Sequence, residues 1–122
     1  MKRLKPKILL IEDDTASAEA LGMILRDWGA EVAHAPNADM VAAIPSERMA
    51  SFGYIITDFN IGPGVDGVTL ASQIAARAPD IKIMVLSGSF HGQATVAAKL
   101  AGFKLMQKPA HAEAILAWLD QR

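Results

Sequence analysis

Ile8-Leu9-Leu10-Ile11-Glu12-Asp13-Asp14 and Tyr54-Ile55-Ile56-Thr57-Asp58 decide the fold, because each is a short apolar run that ends in acid. Two further runs share the design. Ile81-Lys82-Ile83-Met84-Val85-Leu86 leads into Ser87, and Phe103-Lys104-Leu105-Met106-Gln107 leads into Lys108-Pro109. The runs at Ile8 and Ile81 are almost continuously apolar, as strands covered on both faces of a sheet must be. If all four are parallel strands of one sheet, their C-terminal ends share an edge, where open α/β sheets bind ligands. That edge would gather carboxylates, a hydroxyl and an ammonium, the equipment for holding a divalent cation and a phosphoryl group together.

The segments between the runs read as helices. Leu21, Ile24, Leu25 and Trp28 recur at helical spacing and predict a helix from about Thr15 to Trp28, with Gly29 placed for a left-handed C-terminal cap. A short strand at Glu31 to His34 follows. Asn37 can cap a helix whose apolar face is Met40, Val41 and Ile44, and Pro45 discourages its continuation. Residues 46–51 are ambiguous. Beyond Asp58 lies Gly62-Pro63-Gly64-Val65-Asp66-Gly67, a glycine-rich loop, and then a helix carrying Leu70, Ile74 and Ala78 that stops before Pro79. Gln93 to Ala101 reads as a helix with Val96, Ala97 and Leu100 inward. The last helix, from about His111 to Asp120, buries Ile115, Leu116 and Leu119. The result is β-α repeated five times, one doubly wound α/β domain over residues 1–122.

Composition narrows the function. The chain has 122 residues, 52% hydrophobic and 20% charged, which is globular rather than disordered. Its formal net charge of −1 gives no field for nucleic acid, and the basic leader Lys2, Arg3, Lys5 and Lys7 reads as a solvated terminus. With no cysteine there is no disulfide, thiolate metal site or cysteine nucleophile. No apolar stretch reaches membrane-spanning length and no signal-peptide pattern is present, so a cytoplasmic location is the expectation. His34, His91 and His111 lack ligand-like spacing and read as structural or solvent-facing. Trp118 and Met106 read as packing or interface residues.

Within the expected edge, Asp14 fits a helix N-terminal cap. Glu12 and Asp13, joined by a third carboxylate from another strand, would repel one another unless a hard cation neutralised them, and oxygen-only ligands suit Mg²⁺. Asp58 is the sharpest candidate: in the company of Lys108 and Ser87, its carboxylate can attack a phosphoryl group and form an acyl phosphate. The rest of the task would be positioning and charge neutralisation. Ser87 could donate to a phosphoryl oxygen. Lys108 stands directly before proline, where a tight turn or a cis peptide can fix its direction, and its point charge would pair with Asp58 at rest and with the phosphoryl group afterwards. Formally, the three negative charges of Glu12, Asp13 and Asp58 balance two from Mg²⁺ and one from Lys108.

Taken together, Glu12-Asp13, Asp58, Ser87 and Lys108-Pro109 on successive β/α units resemble the receiver domain of two-component response regulators, over almost the whole chain. The resemblance implies a flavodoxin-like five-stranded parallel sheet of order 2-1-3-4-5, shared with the chemotaxis regulators. It implies phosphoryl transfer from a histidine kinase or histidine phosphotransfer protein to Asp58, and no catalysis beyond the domain's own phosphorylation and dephosphorylation. It further implies Mg²⁺ held by Asp13, Asp58 and the backbone carbonyl of Asn60, with Glu12 acting partly through water. Output would pass through contacts with a downstream protein, with room for a homodimer and no direct role for nucleic acid or membrane.

Three features depart from the family pattern. The loop from Ile61 to Asp66 carries an extra residue, Leu105 occupies the usual aromatic switch position, and the approach from Gly102 to Lys108 is one residue shorter. The first bears on loop geometry near the metal and the other two on the output, while the phosphorylation chemistry stands. A phosphatase of the haloacid-dehalogenase type, the main rival, would need a second aspartate two residues after the nucleophile, where this chain has Asn60. A binding module that is never phosphorylated would not need the acid, hydroxyl and lysine set.

Overall fold

Each predicted strand finds its place in one sheet. The computed structural model describes residues 5–88, 92–109 and 111–121, so Lys2, Arg3 and His91 lie outside the described residues. In chain order the elements are β1 (Lys7–Ile11), α1 (Thr15–Trp28), β2 (Glu31–Ala35), α2 (Ala38–Ala42), α3 (Ser46–Ala50), β3 (Tyr54–Asp58), α4 (Gly67–Arg77), β4 (Lys82–Ser87), α5 (Gln93–Ala101), β5 (Lys104–Gln107) and α6 (Ala112–Asp120). The five strands are parallel in the order β2-β1-β3-β4-β5, as the resemblance implies. Register pairs Ile11 with Thr57 and Asp58 with Leu86, which brings the C-terminal ends of β1, β3 and β4 to one level.

Alternation along the strands divides the core into two layers. Leu9, Ile11, Ile55, Ile83 and Val85 face α2 to α5, against Val41, Leu70, Ala71, Ile74 and Ala98. Ile8, Leu10, Ile56, Met84 and Leu86 face α1 and α6, against Ala18, Leu25, Ile115, Trp118 and Leu119. Each fully buried Ile or Leu contributes roughly 1.5–3 kcal/mol, so the central strands are the rigid part of the molecule.

Local chemistry sets the helix ends. Asp14, Asn37 and Asp66 cap α1, α2 and α4 by accepting from the amides of Ser17, Met40 and Thr69. Gly29 ends α1 in the left-handed conformation expected of it, with φ 119°. Beyond Pro45, Ser46–Ala50 within the ambiguous residues 46–51 form the short helix α3, which has no side-chain cap.

Two helix faces differ from expectation. In α5, Val96 and Leu100 point outward, 57% and 84% exposed, while Ala98 is buried and Ala97 half-buried. Alanines therefore take the inner face of this helix, and the larger apolar residues are left on the far side. In α2, Val41 is buried but Met40 is 52% exposed, because a helix of five residues can turn only a narrow face inward.

At the N-terminal end of the sheet, α6 is anchored by a polar and aromatic cluster. The Tyr54 hydroxyl donates to the Leu119 carbonyl at 3.1 Å, and Lys82 Nζ donates to the Gln121 carbonyl at 2.8 Å. The Tyr54 and Trp118 rings meet edge to face at 5.6 Å, with Lys82 Nζ over both.

Candidate functional site

The strand ends do not fray where the polar residues begin. Glu12 N donates to the Ala35 carbonyl at 3.2 Å, Phe59 N to Leu86 at 2.9 Å, and Lys108 N to Ser87 at 2.8 Å. Parallel pairing thus continues one residue past β1, β3 and β5, and the backbone beside each reactive side chain is held like the core. Period-two alternation does the rest. Glu12, Asp58 and Lys108 follow Leu10, Ile56 and Met106 at two-residue spacing, which assigns all three to the α1 and α6 side of the sheet.

Lys108 Nζ lies 2.8 Å from Asp58 Oδ1 and 3.6 Å from Glu12 Oε2. Carboxylate oxygens of Glu12, Asp13 and Asp58 fall within 4.8 Å of one another. Asp58 and Glu12 are buried, Asp13 is exposed, and Lys108 keeps about two-fifths of its side chain in solvent (39%). The Lys108–Pro109 peptide is cis. Four of the sequence-predicted residues therefore meet. Ser87 is buried at the end of β4, across from Gln107 and next in sequence to the partner of Asp58, while Asn60 is exposed two residues beyond Asp58.

Burial pushes the Asp58 carboxyl up to about 7, and the Glu12 carboxylate reinforces the shift against the opposing pull of Lys108. Burial alone would lower the Lys108 ammonium; its close approach and charge attraction to Asp58, with help from Glu12, raise it instead. Despite the short ion pair, Asp58 Oδ1 has no donor in hydrogen-bonding alignment with it among the described residues. A buried carboxylate whose one ion-pair partner among the described residues is a half-exposed lysine, beside two more carboxylates, fits a hard divalent cation. Asp14 takes no part in the cluster: the Ser17 hydroxyl and amide bond its carboxylate at 2.6 and 2.9 Å and hold it below the usual range.

Three supporting residues escape sequence reading. Thr57 is fully buried and its hydroxyl donates to the Asp58 carbonyl at 2.9 Å. Gly67 packs against the same carbonyl so closely that a Cβ would overlap it, and the Gly67 amide donates to Phe59 at 2.7 Å. His34 Nε2 meets the Glu12 carbonyl at 2.6 Å. Only Gly67 left a trace in the sequence, a glycine immediately after a helix-capping aspartate.

A cleft of about 560 Å³ opens between α2, α3 and α4, lined by Val41, Ile44, Met49, Leu70, Ile74 and Arg77 among others. None of the clustered acids lines it, so the chemistry sits on the open rim and not in this cleft.

Comparison with known proteins shows the family. The family model of the response regulator receiver domain matches residues 8–120, and the chain belongs to that family. It is 32% identical over 111 residues to the response regulator protein FleR of Pseudomonas aeruginosa, covering 90% of this chain and 23% of that protein. It is also 32% identical over 113 residues to the transcriptional regulatory protein FixJ of Azorhizobium caulinodans, covering 88% and 50%. The chain thus spans half or less of these two relatives. Among solved structures, a Burkholderia pseudomallei response regulator with a phosphorylated aspartic acid, calcium ion and citrate is 30% identical at a TM-score of 0.79, covering 96% of this chain and 68% of that one. A CheY-like receiver domain from Methanospirillum hungatei, 24% identical with a TM-score of 0.82 over 95% of this chain and 91% of that one, shares the fold.

Proposed function

We propose that this chain is a phosphoryl-accepting switch with Asp58 as the acceptor, residues 1–122 forming one receiver domain. The observation that carries the reading is the meeting of Lys108 Nζ with Asp58 Oδ1 at 2.8 Å, within a cluster of three carboxylates on the C-terminal rim. An oxygen of Asp58 attacks the phosphorus of a phosphohistidine on a histidine kinase or phosphotransfer protein. The O–P bond forms as the P–N bond breaks, and the electron pair leaves on the imidazole nitrogen. Lys108 is close enough to exchange its pairing with the Asp58 carboxylate for pairing with the incoming phosphoryl oxygens. The Ser87 hydroxyl, at the end of the neighbouring strand, is assigned the next of these oxygens.

Asp13, Asp58 and the Asn60 carbonyl would hold Mg²⁺, with Glu12 contributing partly through water. Bound there, the ion would offset the repulsion among the acids and keep Asp58 ionised near neutral pH. Acyl phosphorylation replaces the single charge of Asp58 with roughly two negative charges, which gives the neighbouring loop a reason to move. Output passes through phosphorylation-dependent contact with a downstream protein, without direct nucleic-acid binding and with room for a homodimer. The domain catalyses only its own phosphorylation and dephosphorylation. We assign it to the cytoplasm; among the described residues no helix is long and apolar enough to cross a membrane.

A small phosphodonor with Mg²⁺ should give one acid- and base-labile adduct in the wild type and none in Asp58→Asn, read by phosphate-affinity electrophoresis. Equal labelling of the two proteins would reject Asp58 as acceptor. Steady turnover of phosphate esters would favour a phosphatase instead.

A further inference from the structure

Glu12 is bonded through every polar group it owns. Its amide donates to the Ala35 carbonyl, its Oε1 accepts from the Asp14 amide at 3.1 Å, and its Oε2 faces Lys108 at 3.6 Å. The remaining group, its carbonyl, meets His34 Nε2 at 2.6 Å. In a continuing parallel ladder that carbonyl would be met by the amide two residues past Ala35. Here the chain leaves the sheet at Pro36, and Asn37 turns to cap α2. The imidazole supplies the donor at this point. A carbonyl oxygen can only accept, so Nε2 carries a proton; neutral ring and imidazolium both satisfy this.

That carbonyl belongs to the peptide plane whose amide is Asp13. Rotating the plane re-aims the Asp13 carboxylate, which is exposed, whereas Glu12 and Asp58 are packed in place. We infer that His34 is a positioning residue: its hydrogen bond fixes the Glu12–Asp13 peptide and so aims the Asp13 carboxylate into the acidic cluster. The inference rests on reading Glu12, Asp13 and Asp58 as a divalent-cation site. It concerns a side chain that touches neither the cation nor the phosphoryl group, on a strand the proposed chemistry does not otherwise use.

The test is a Mg²⁺ titration followed by the amide shifts of Asp13 and Asp14. His34→Leu should weaken binding about tenfold, the lower end for losing a residue that orients a ligand. His34→Gln, whose amide nitrogen reaches as far as Nε2, should return the affinity close to wild type. His34→Asn, which is too short, should not. Metal-free wild-type protein should also show one exchange-protected imidazole Nε2 proton, absent from every His34 variant. Wild-type affinity in His34→Leu overturns the inference while leaving the cation site standing, and so does failure of His34→Gln to rescue. If His34→Leu does not fold, the Gln and Asn pair decides alone. A wild type that binds no Mg²⁺ sinks the cation site itself and this inference with it.

Discussion

The rim formed by β1 and β3 and the edge formed by β5 and α5 belong to the same sheet, yet they are built to opposite rules. β1 and β3 each bury four of five residues, and their polar ends are locked by backbone bonds and by Thr57, Gly67 and His34. β5 has no fully buried residue, Leu105 is half-buried where the family carries its aromatic switch, and α5 shows Val96 and Leu100 to solvent. The lesson is a division of labour. The carboxylates end the most buried strands, and the exposed apolar surface lies two strands from Asp58, on the edge whose strand β5 delivers Lys108.

The largest test of that division is Gly67→Ala. The added carbon overlaps the Asp58 carbonyl, and the Gly67–Phe59 hydrogen bond prevents retreat, so the cost should be about 3 kcal/mol or more in urea unfolding. A cost below about 1 kcal/mol would mean that the rim is as pliable as the edge.

Next comes Asp58→Asn without metal. The folded Asp58 carboxyl titrates near 7, above its ordinary value of 3.8, so between those pH values the native state binds more protons than the unfolded chain. Stability of the wild type should therefore fall as pH rises from about 4 to about 7. The Asn variant should escape this loss and be more stable by roughly 1–3 kcal/mol at pH 8, with little difference at pH 4. Mg²⁺ should narrow the gap at pH 8. A gap that is constant with pH would assign the effect to packing. The smallest effect belongs to the edge: Leu100→Ser should shift stability by no more than about 0.5 kcal/mol, because a side chain already in solvent loses little.

Much of this was legible because apolar runs ending in reactive residues report topology and chemistry at once. Thr15–Trp28 and Gln93–Ala101 match the helices read from periodicity, and the acid, acid, lysine meeting follows from strand ends sharing one rim. The failures have equally local causes. Val96 and Leu100 sit four residues apart, and spacing alone could not tell that alanines would take the inner face. α3 has neither a side-chain cap nor a buried residue to announce it. Nothing in the neighbourhood of His34 could disclose that its ring meets a carbonyl from 22 residues earlier in the chain.

The cluster of Tyr54, Lys82 and Trp118 has a mechanical consequence for the opposite end of the molecule. It pins the foot of α6 through the carbonyls of Leu119 and Gln121, while the head of the same helix follows the segment carrying Lys108. A pull on the lysine by a new charge would therefore meet a helix held at its last turn by these contacts and along its length by Ile115 in the core.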